Sequence, residues 1–241
     1  MTETMKNLFP LAAALLLLQA CNGLKTAHYE DILALPREQE SADTLFLSID
    51  LEYVEKGASP EVVELMNSTI LTQAFDLEDG QGTVEETALR YRENLIDEYL
   101  TEADFSWEDR IDGFFTEPYK GFRNYLLTYY SFRGGAHGIQ TMSQIVFDAK
   151  TGAVLSEGDF LADGYEEPVA ELLRKTVSDT MTAEAPELTE LLQPEALAPN
   201  GNFSVGKDGM EWIFQPYEAG PYALGIVSAT LSWEQLKPYL K

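Results

Sequence analysis

Hydrophobic residues change their spacing near residue 57, and this change limits the folds that the chain can adopt. Between residues 44 and 55 they recur at about every second position, the pattern of a strand with one buried face. Ser59, Pro60 and the acid that follows them form a helix start signal, and the next hydrophobic residues recur at helical spacing to about Phe75. The chain therefore combines strands and helices and is neither all-α nor all-β.

The rest of the sequence continues this mixture. Thr83 followed by Glu86 predicts a capping box at the start of a second helix, which ends near Glu102. A glycine-rich connection between two apolar segments predicts a hairpin. The remaining elements are strands at 125–132, 141–148, 153–155, 203–205, 209–214 and 222–231, a helix at 166–182 and a short final helix from 232. This order predicts an α+β domain with one core, in which helices pack on one face of a mixed or mainly antiparallel β-sheet.

Residues 1–20 predict a secretory signal peptide. Lys6 precedes an apolar segment at 8–18, which is shorter than the roughly 20 residues that a membrane-spanning helix needs. The single cysteine of the chain, Cys21, follows in the order Leu-Gln-Ala-Cys, which resembles the lipobox of bacterial lipoproteins. The alternative is an ordinary signal peptide followed by a stray cysteine.

The lipobox interpretation divides the chain into three parts. Residues 1–20 are removed, and Cys21 becomes an acylated N-terminus that anchors the protein to a membrane. Polar and charged residues make 21–43 a tether, and 44–241 then form a single α+β domain. By resemblance to bacterial sorting signals, Asn22 favours the outer membrane of a Gram-negative bacterium, on its periplasmic side or its surface.

The chain is strongly acidic, with 41 Asp and Glu against 16 Lys and Arg and a formal net charge of −25. Because this charge repels phosphate groups, nucleic acid is not an expected partner. The same charge attracts a strongly basic protein. A single cysteine excludes a disulfide-stapled scaffold, and one histidine in the domain is too few for a histidine-based zinc site. The sequence therefore predicts no metal and no cofactor.

Two motifs carry a resemblance to a known family. The first is Gly-Gly-Ala-His at 134–137, followed by a strand that ends in Phe-Asp and by a Thr-Gly turn. The second matches Tyr-Glu-x-x-Pro-Tyr-x-x-Gly at Tyr217, Glu218, Pro221, Tyr222 and Gly225. Together they resemble bacterial envelope proteins that pair a PdaC-type N-terminal module (DUF4163) with an RsiV-like C-terminal module (DUF3298).

The resemblance implies a non-catalytic binding module of the cell envelope. It covers about residues 44–238 and places the PdaC-type module at about 44–150 and the RsiV-like module at about 151–241. In the anti-sigma relative this domain binds lysozyme, so the implied partner is a basic, lysozyme-like protein or a cell-wall glycan such as peptidoglycan. The segment 215–222 matches the ligand-facing loop. The expected ligand-binding residues are Tyr217, Glu218, Pro221, Tyr222 and His137.

Several of these residues also have a second interpretation. His137 could act as a general base, or its ring could hydrogen-bond the backbone and fix the hairpin. Trp212 and Phe214 could join the tyrosines of the second motif in a carbohydrate platform, or they could belong to the core. Glu218 lies between prolines and tyrosines, which makes it a candidate for a perturbed pKa or for cation binding.

Three functions remain open at this point. The first is the lipid-anchored binding domain. The second is an envelope hydrolase that acts on a glycan or an ester through His137 or a pair of carboxylates. The third is a structural or assembly lipoprotein. The sequence lacks a nucleophile elbow of the Gly-x-Ser-x-Gly type, and we therefore favour the binding domain.

Overall fold

The computed structural model describes residues 23–37, 43–77, 80 and 82–241. The predicted signal peptide and Cys21, the predicted acylation site, lie outside these residues. Within the described ranges, no helix is both long and apolar enough to cross a membrane. The elements form two sheets with helices packed against them, so the α+β prediction is confirmed.

A six-stranded sheet forms the larger part of the fold. Its strands are, in spatial order, β1 (Lys25–Pro36), β2 (Thr44–Lys56), β3 (Trp107–Phe115), β4 (Phe122–Phe132), β5 (Ile139–Asp148) and β6 (Val154–Leu155). All neighbours are antiparallel except β2 and β3, which are parallel. A parallel pair needs a long crossover connection, and two helices between these strands supply it.

The crossover consists of α1 (Pro60–Phe75) and α2 (Val84–Glu102), which pack against β2. Ser59 caps α1 with its side-chain oxygen. Thr83 and Glu86 form the predicted capping box of α2. These caps fix where each helix starts, so that its apolar side faces the sheet. The first hydrophobic core lies between them and includes Met66, Ile70, Leu95, Tyr99 and Phe147.

A second hydrophobic core occupies the C-terminal part of the chain. Here α3 (Glu166–Glu184) packs on a three-stranded antiparallel sheet of β7 (Phe203–Val205), β8 (Gly209–Phe214) and β9 (Val227–Ser232), and α4 (Trp233–Leu236) follows. The prediction of a single core is therefore wrong, because the apolar face of α3 is buried against this sheet. The core includes Leu173, Phe203, Trp212, Phe214 and Leu231.

Side-chain amides connect the two sheets. Asn124 on β4 donates from Nδ2 to the backbone oxygen of Val205 on β7 (2.8 Å) and accepts the Val205 N–H at Oδ1 (3.0 Å). In the opposite direction, Gln215 after β8 makes the same pair of contacts with the backbone of Met142 on β5. Each amide takes the place of a neighbouring strand and satisfies an edge backbone that would otherwise be unpaired.

The prediction that 21–43 are a tether is wrong for residues 25–36, because they form β1. This strand pairs with β2 along its whole length. Its inner face packs on the first core through side chains such as Tyr29 and Leu33. Ile32 is apolar but exposed on the outer face, and it interrupts the alternation that marks a half-buried strand.

Candidate binding site

The two sequence motifs meet in space. His137 lies in the loop between β4 and β5, and Tyr217 and Tyr222 lie in the connection between β8 and β9. The rings of His137 and Tyr222 stack with their centroids 3.8 Å apart and their planes 17° apart. The ring of Tyr217 lies 5.6 Å from that of Tyr222. We call these three residues the aromatic cluster.

Hydrogen bonds to one carbonyl hold the aromatic cluster in place. The backbone oxygen of Gly138 accepts the Tyr222 hydroxyl at 3.0 Å and lies 2.9 Å from His137 Nδ1. Because a carbonyl oxygen can only accept, Nδ1 carries the hydrogen, and His137 Nε2 faces the Tyr217 hydroxyl at 3.4 Å. A Cβ at residue 138 would overlap the end of the Tyr130 side chain, so a larger residue here would have to displace the Tyr130 ring.

The aromatic cluster is open to solvent on one side. Tyr217 is 57% exposed and has a left-handed backbone conformation, with φ of 71°. Two further apolar side chains flank the β4–β5 loop: Phe105, which is 59% exposed, lies against Gly134, and Ile139 is 44% exposed. Non-glycine residues with positive φ cost energy and concentrate at functional positions. The exposed apolar surface around the cluster is therefore a candidate contact surface.

Glu218 and Pro221 shape the connection that carries both tyrosines. The Glu218 carboxylate accepts the backbone N–H of Gln215 at 2.7 Å and Nδ2 of Asn200 at 2.8 Å. Each of its oxygens is thus hydrogen-bonded within the protein, and the first bond closes the turn. Pro221 is exposed and precedes the short 3-10 turn Tyr222–Leu224. This geometry gives both residues a role in positioning the tyrosines.

Trp212 and Phe214 lie away from the aromatic cluster, because both are fully buried in the second core. The indole N–H of Trp212 donates to the buried Glu157 carboxylate at 2.6 Å, and the Tyr165 hydroxyl donates to the same carboxylate at 3.0 Å. Burial, together with the charge of Glu157, raises the pKa of the Tyr165 hydroxyl. The carbohydrate-platform interpretation is therefore wrong for Trp212 and Phe214.

A buried ion pair that the sequence motifs do not include anchors the β4–β5 loop. Asp109 on β3 is fully buried and accepts the Tyr91 hydroxyl at 2.8 Å and Nη2 of Arg133 at 2.6 Å. Arg133 is the first residue of the loop and lies 4.3 Å from the centroid of the Trp107 ring. Burial lowers the pKa of Arg133, but the charges and hydrogen bonds of Asp109 and Tyr129 together outweigh it, so the pKa is raised. The sequence indicates this ion pair through Asp109 itself, because a charged residue at a buried strand position, between the buried Trp107 and Ile111, needs a partner.

The aromatic cluster offers ring faces and hydroxyl groups to a ligand. Two polar groups contact the His137 ring among the described residues: the Gly138 carbonyl at Nδ1 (2.9 Å) and the Tyr217 hydroxyl at Nε2 (3.4 Å). In the part of the chain that the structure describes, no three His, Cys, Asp or Glu side chains converge in a way that could hold a metal ion.

Comparisons with known proteins assign a family resemblance to part of the chain. Residues 158–234 match a family model described as "Protein of unknown function (DUF3298)". A crystal structure of a DUF3298 family member from Bacteroides fragilis is similar, with a TM-score of 0.80 and 21% identity, over 91% of this chain and 94% of that chain. A DUF3298 family protein from Pseudomonas aeruginosa has a TM-score of 0.68 and 16% identity, over 92% and 96%. No curated protein matches the sequence.

Identities this low show a shared fold and leave the function open. The matched segment contains Tyr217 and Tyr222, whereas His137 precedes it. The aromatic cluster is therefore built from the matched segment and from the larger sheet together. The resemblance to the DUF3298 family that the sequence motifs predicted is thus confirmed, with the family model itself matching residues 158–234.

Proposed function

We propose that the protein is a non-catalytic binding domain of the cell envelope, anchored by lipid at Cys21, whose aromatic cluster binds a strongly basic, lysozyme-like protein. The observation that carries this proposal is the stack of the exposed His137 on the half-buried Tyr222, beside the exposed Tyr217. Tyrosine is enriched in protein interfaces because its ring buries a large apolar area while its hydroxyl keeps a polar partner.

Hydrogen bonds hold the side chains of the aromatic cluster in place, and this order favours a role in binding. The Gly138 carbonyl fixes two of its rings, the Glu218 carboxylate closes the turn that carries Tyr217, and the ion pair of Asp109 with Arg133 fixes the base of the loop. Side chains that are already ordered lose less conformational entropy when a partner binds. A preorganised exposed cluster is therefore better suited to recognition than a mobile one.

The charge of the chain favours a basic partner. A net charge of −25 steers positively charged proteins toward this surface and speeds association, most strongly at low salt. Aromatic ring faces also attract lysine and arginine side chains, and each exposed cation–π contact contributes about 0.5–1 kcal/mol. The resemblance to the lysozyme-sensing anti-sigma factor supports the same class of ligand.

Calorimetric titration with hen lysozyme tests this proposal. The form used for the titration begins at Asn22, so that it includes β1. The titration is repeated at low and at raised salt. We expect saturable binding that weakens as salt screens the charges. Tyr217→Ala and Tyr222→Ala should each weaken binding roughly tenfold, the loss typical of an interface hot spot. Phe114→Ala, which removes an exposed aromatic ring from β3, is the matched control and should change little. A lack of binding at low salt would contradict the proposal.

The lipid anchor is tested separately from the ligand. Radiolabelled palmitate should be incorporated into the native precursor, which should fractionate with membranes, whereas Cys21→Ser should lose both the label and the membrane association. Equal labelling of the two proteins would contradict the anchor at Cys21.

A further inference from the structure

A groove crosses the surface between α1, β5 and the segment that precedes β7. Its larger depression has a volume of about 500 Å³. Polar side chains from all three elements line it, together with the apolar Val154 and Leu155 of β6. These polar residues are Thr69, Gln73, Ser143, Gln144, Asn200 and Asn202, with Gln215 and Glu218 from the connection after β8.

A second depression continues the first along the sheet. It has a volume of about 320 Å³ and shares Gln73 and Ser143 with the larger one. Aromatic side chains line this end, including Phe75, Tyr91 and Tyr129. Because the two depressions meet at shared residues, the groove as a whole is elongated and suits a linear ligand.

The polar groups of the groove are mostly neutral amides and hydroxyls. Within the described residues, no lysine or arginine lines either depression. Glu218 lines the larger one, but both of its oxygens already accept hydrogen bonds, and Asp76 lines the smaller one. A side-chain amide donates and accepts at the same time, as a sugar hydroxyl does. Asn200 and Asn202 already use both of their amide N–H groups within the protein. The side chains that a neutral, hydroxyl-rich ligand would bond are therefore Gln73, Ser143 and Gln144.

Two of the amides are held in place by the edge of β5. Asn202 accepts the backbone N–H of Gln144 at 2.8 Å and donates to the backbone oxygen of Met142 at 2.9 Å. Gln215 bonds both backbone groups of Met142. These two amides therefore form an ordered wall of the groove, and that wall does not have to rearrange when a ligand binds.

One amide of the groove has an unused donor. Among the described residues, Nε2 of Gln144 is buried and has no hydrogen-bond partner. Buried donors are nearly always paired in folded proteins, and an unpaired one is costly. Since Gln144 lines the larger depression, an oxygen of a bound ligand is the group that would pair with it.

We infer that this groove binds a linear, neutral oligosaccharide. Gln144, with Gln73 and Ser143, hydrogen-bonds its hydroxyl groups in the larger depression. In the smaller depression, the half-buried rings of Tyr91 and Tyr129 contact its apolar sugar faces. An acidic polysaccharide is disfavoured by the net charge of −25. This inference is independent of the basic-protein ligand, because no residue of the aromatic cluster lines the groove and the test uses a different probe.

Binding of defined tetrasaccharides to the complete chain, kept in detergent, tests the inference. The probes are cellotetraose, the tetramer of N-acetylglucosamine and, as an acidic comparison, tetragalacturonate. Perturbation of amide resonances in β5 reports where each probe binds. At least one neutral probe should bind and perturb this strand, and the first two probes distinguish a plain glucan from an N-acetylated chain. Tetragalacturonate should not bind. Failure of both neutral probes, or equal binding of the acidic one, would overturn the inference.

Gln144→Leu separates binding from folding. The variant removes the unpaired donor while keeping a similar volume, so the melting temperature should stay the same or rise. Binding of the neutral probe should fall roughly tenfold, as is typical when one hydrogen-bonding group is lost. Gln140→Leu, on the same strand but outside the groove lining, is the matched control and should bind like the native protein. Native affinity in Gln144→Leu would overturn the assignment of this residue.

Discussion

His137 and Tyr222 stack ring on ring at 3.8 Å, although they lie in loops of different sheets, and both bond the carbonyl of Gly138. The stack therefore ties the β4–β5 loop to the connection between β8 and β9. A side chain offered to a ligand at this point is also part of the contact between the two sheets. Substitutions in the aromatic cluster should consequently change the free energy of unfolding as well as the affinity for a ligand.

Tyr222→Phe should keep the stack and remove a single hydrogen bond. Because the Gly138 carbonyl keeps its bond to His137, the free energy of unfolding should fall by only about 0.5 kcal/mol. Tyr222→Ala also loses the stacked ring and should lose about 2 kcal/mol, since the side chain is only half-buried. Urea unfolding of the three proteins measures both values. Equal losses in the two variants would show that the stack contributes nothing.

Arg133→Ala should destabilise the fold much more than an ordinary surface change. It leaves Asp109, which is fully buried, without its cation. Removing one partner of a buried pair costs about 3–5 kcal/mol, and we expect about 3 because a third of the Arg133 side chain is exposed. Thermal and urea unfolding measure the loss.

Glu98→Gln is the control for this ion pair. Glu98 lies 3.5 Å from the same guanidinium but is half exposed, so its loss should cost less than about 1 kcal/mol. Similar losses for Glu98→Gln and Arg133→Ala would contradict the importance of burial. The His137 ring resonances should also shift in Arg133→Ala, because the base of its loop is released.

The helices were the most predictable part of the fold. Ser59 caps α1, and Thr83 together with Glu86 caps α2. Each cap depends only on residues that are close in sequence, so the local sequence is enough to predict where each helix begins. The strand β1 was not predictable in the same way. Its stability comes from pairing with β2, and the exposed Ile32 disrupts the alternation that would have indicated it.

The residues of the aromatic cluster were visible in the sequence, but their meeting was not. His137 and the tyrosines lie in loops of two separate sheets, and their convergence depends on amide contacts such as that of Asn124 with Val205. No local pattern indicates such contacts. The burial of Trp212 likewise depends on the second core, which forms only when α3 packs on β9.

Asn124→Ala should loosen the contact between the two sheets. It leaves the N–H and the carbonyl of Val205 unpaired in a buried position, which should cost about 2–3 kcal/mol. Hydrogen exchange of the Val205 amide should quicken. The amide of Val54 on β2, which is held in the same way by Asn67 of α1, is the internal control and should keep its relative protection. Equal acceleration at both amides would indicate global rather than local destabilisation.

Asp159 should make stability depend on pH in acid. Hydrogen bonds from the backbone N–H and the hydroxyl of Ser156 hold the pKa of Asp159 below its ordinary value. A carboxyl group whose pKa is lower in the folded chain stabilises the fold at neutral pH, and this contribution disappears as the pH falls through about 4 toward the folded value. In Asp159→Asn, the loss of unfolding free energy should therefore be largest near pH 7 and should shrink below about pH 4. Asp163→Asn, at an exposed position in the following turn, should show no such trend. Urea unfolding across this pH range measures both series, and a loss in Asp159→Asn that is the same at every pH would contradict the role of this carboxylate.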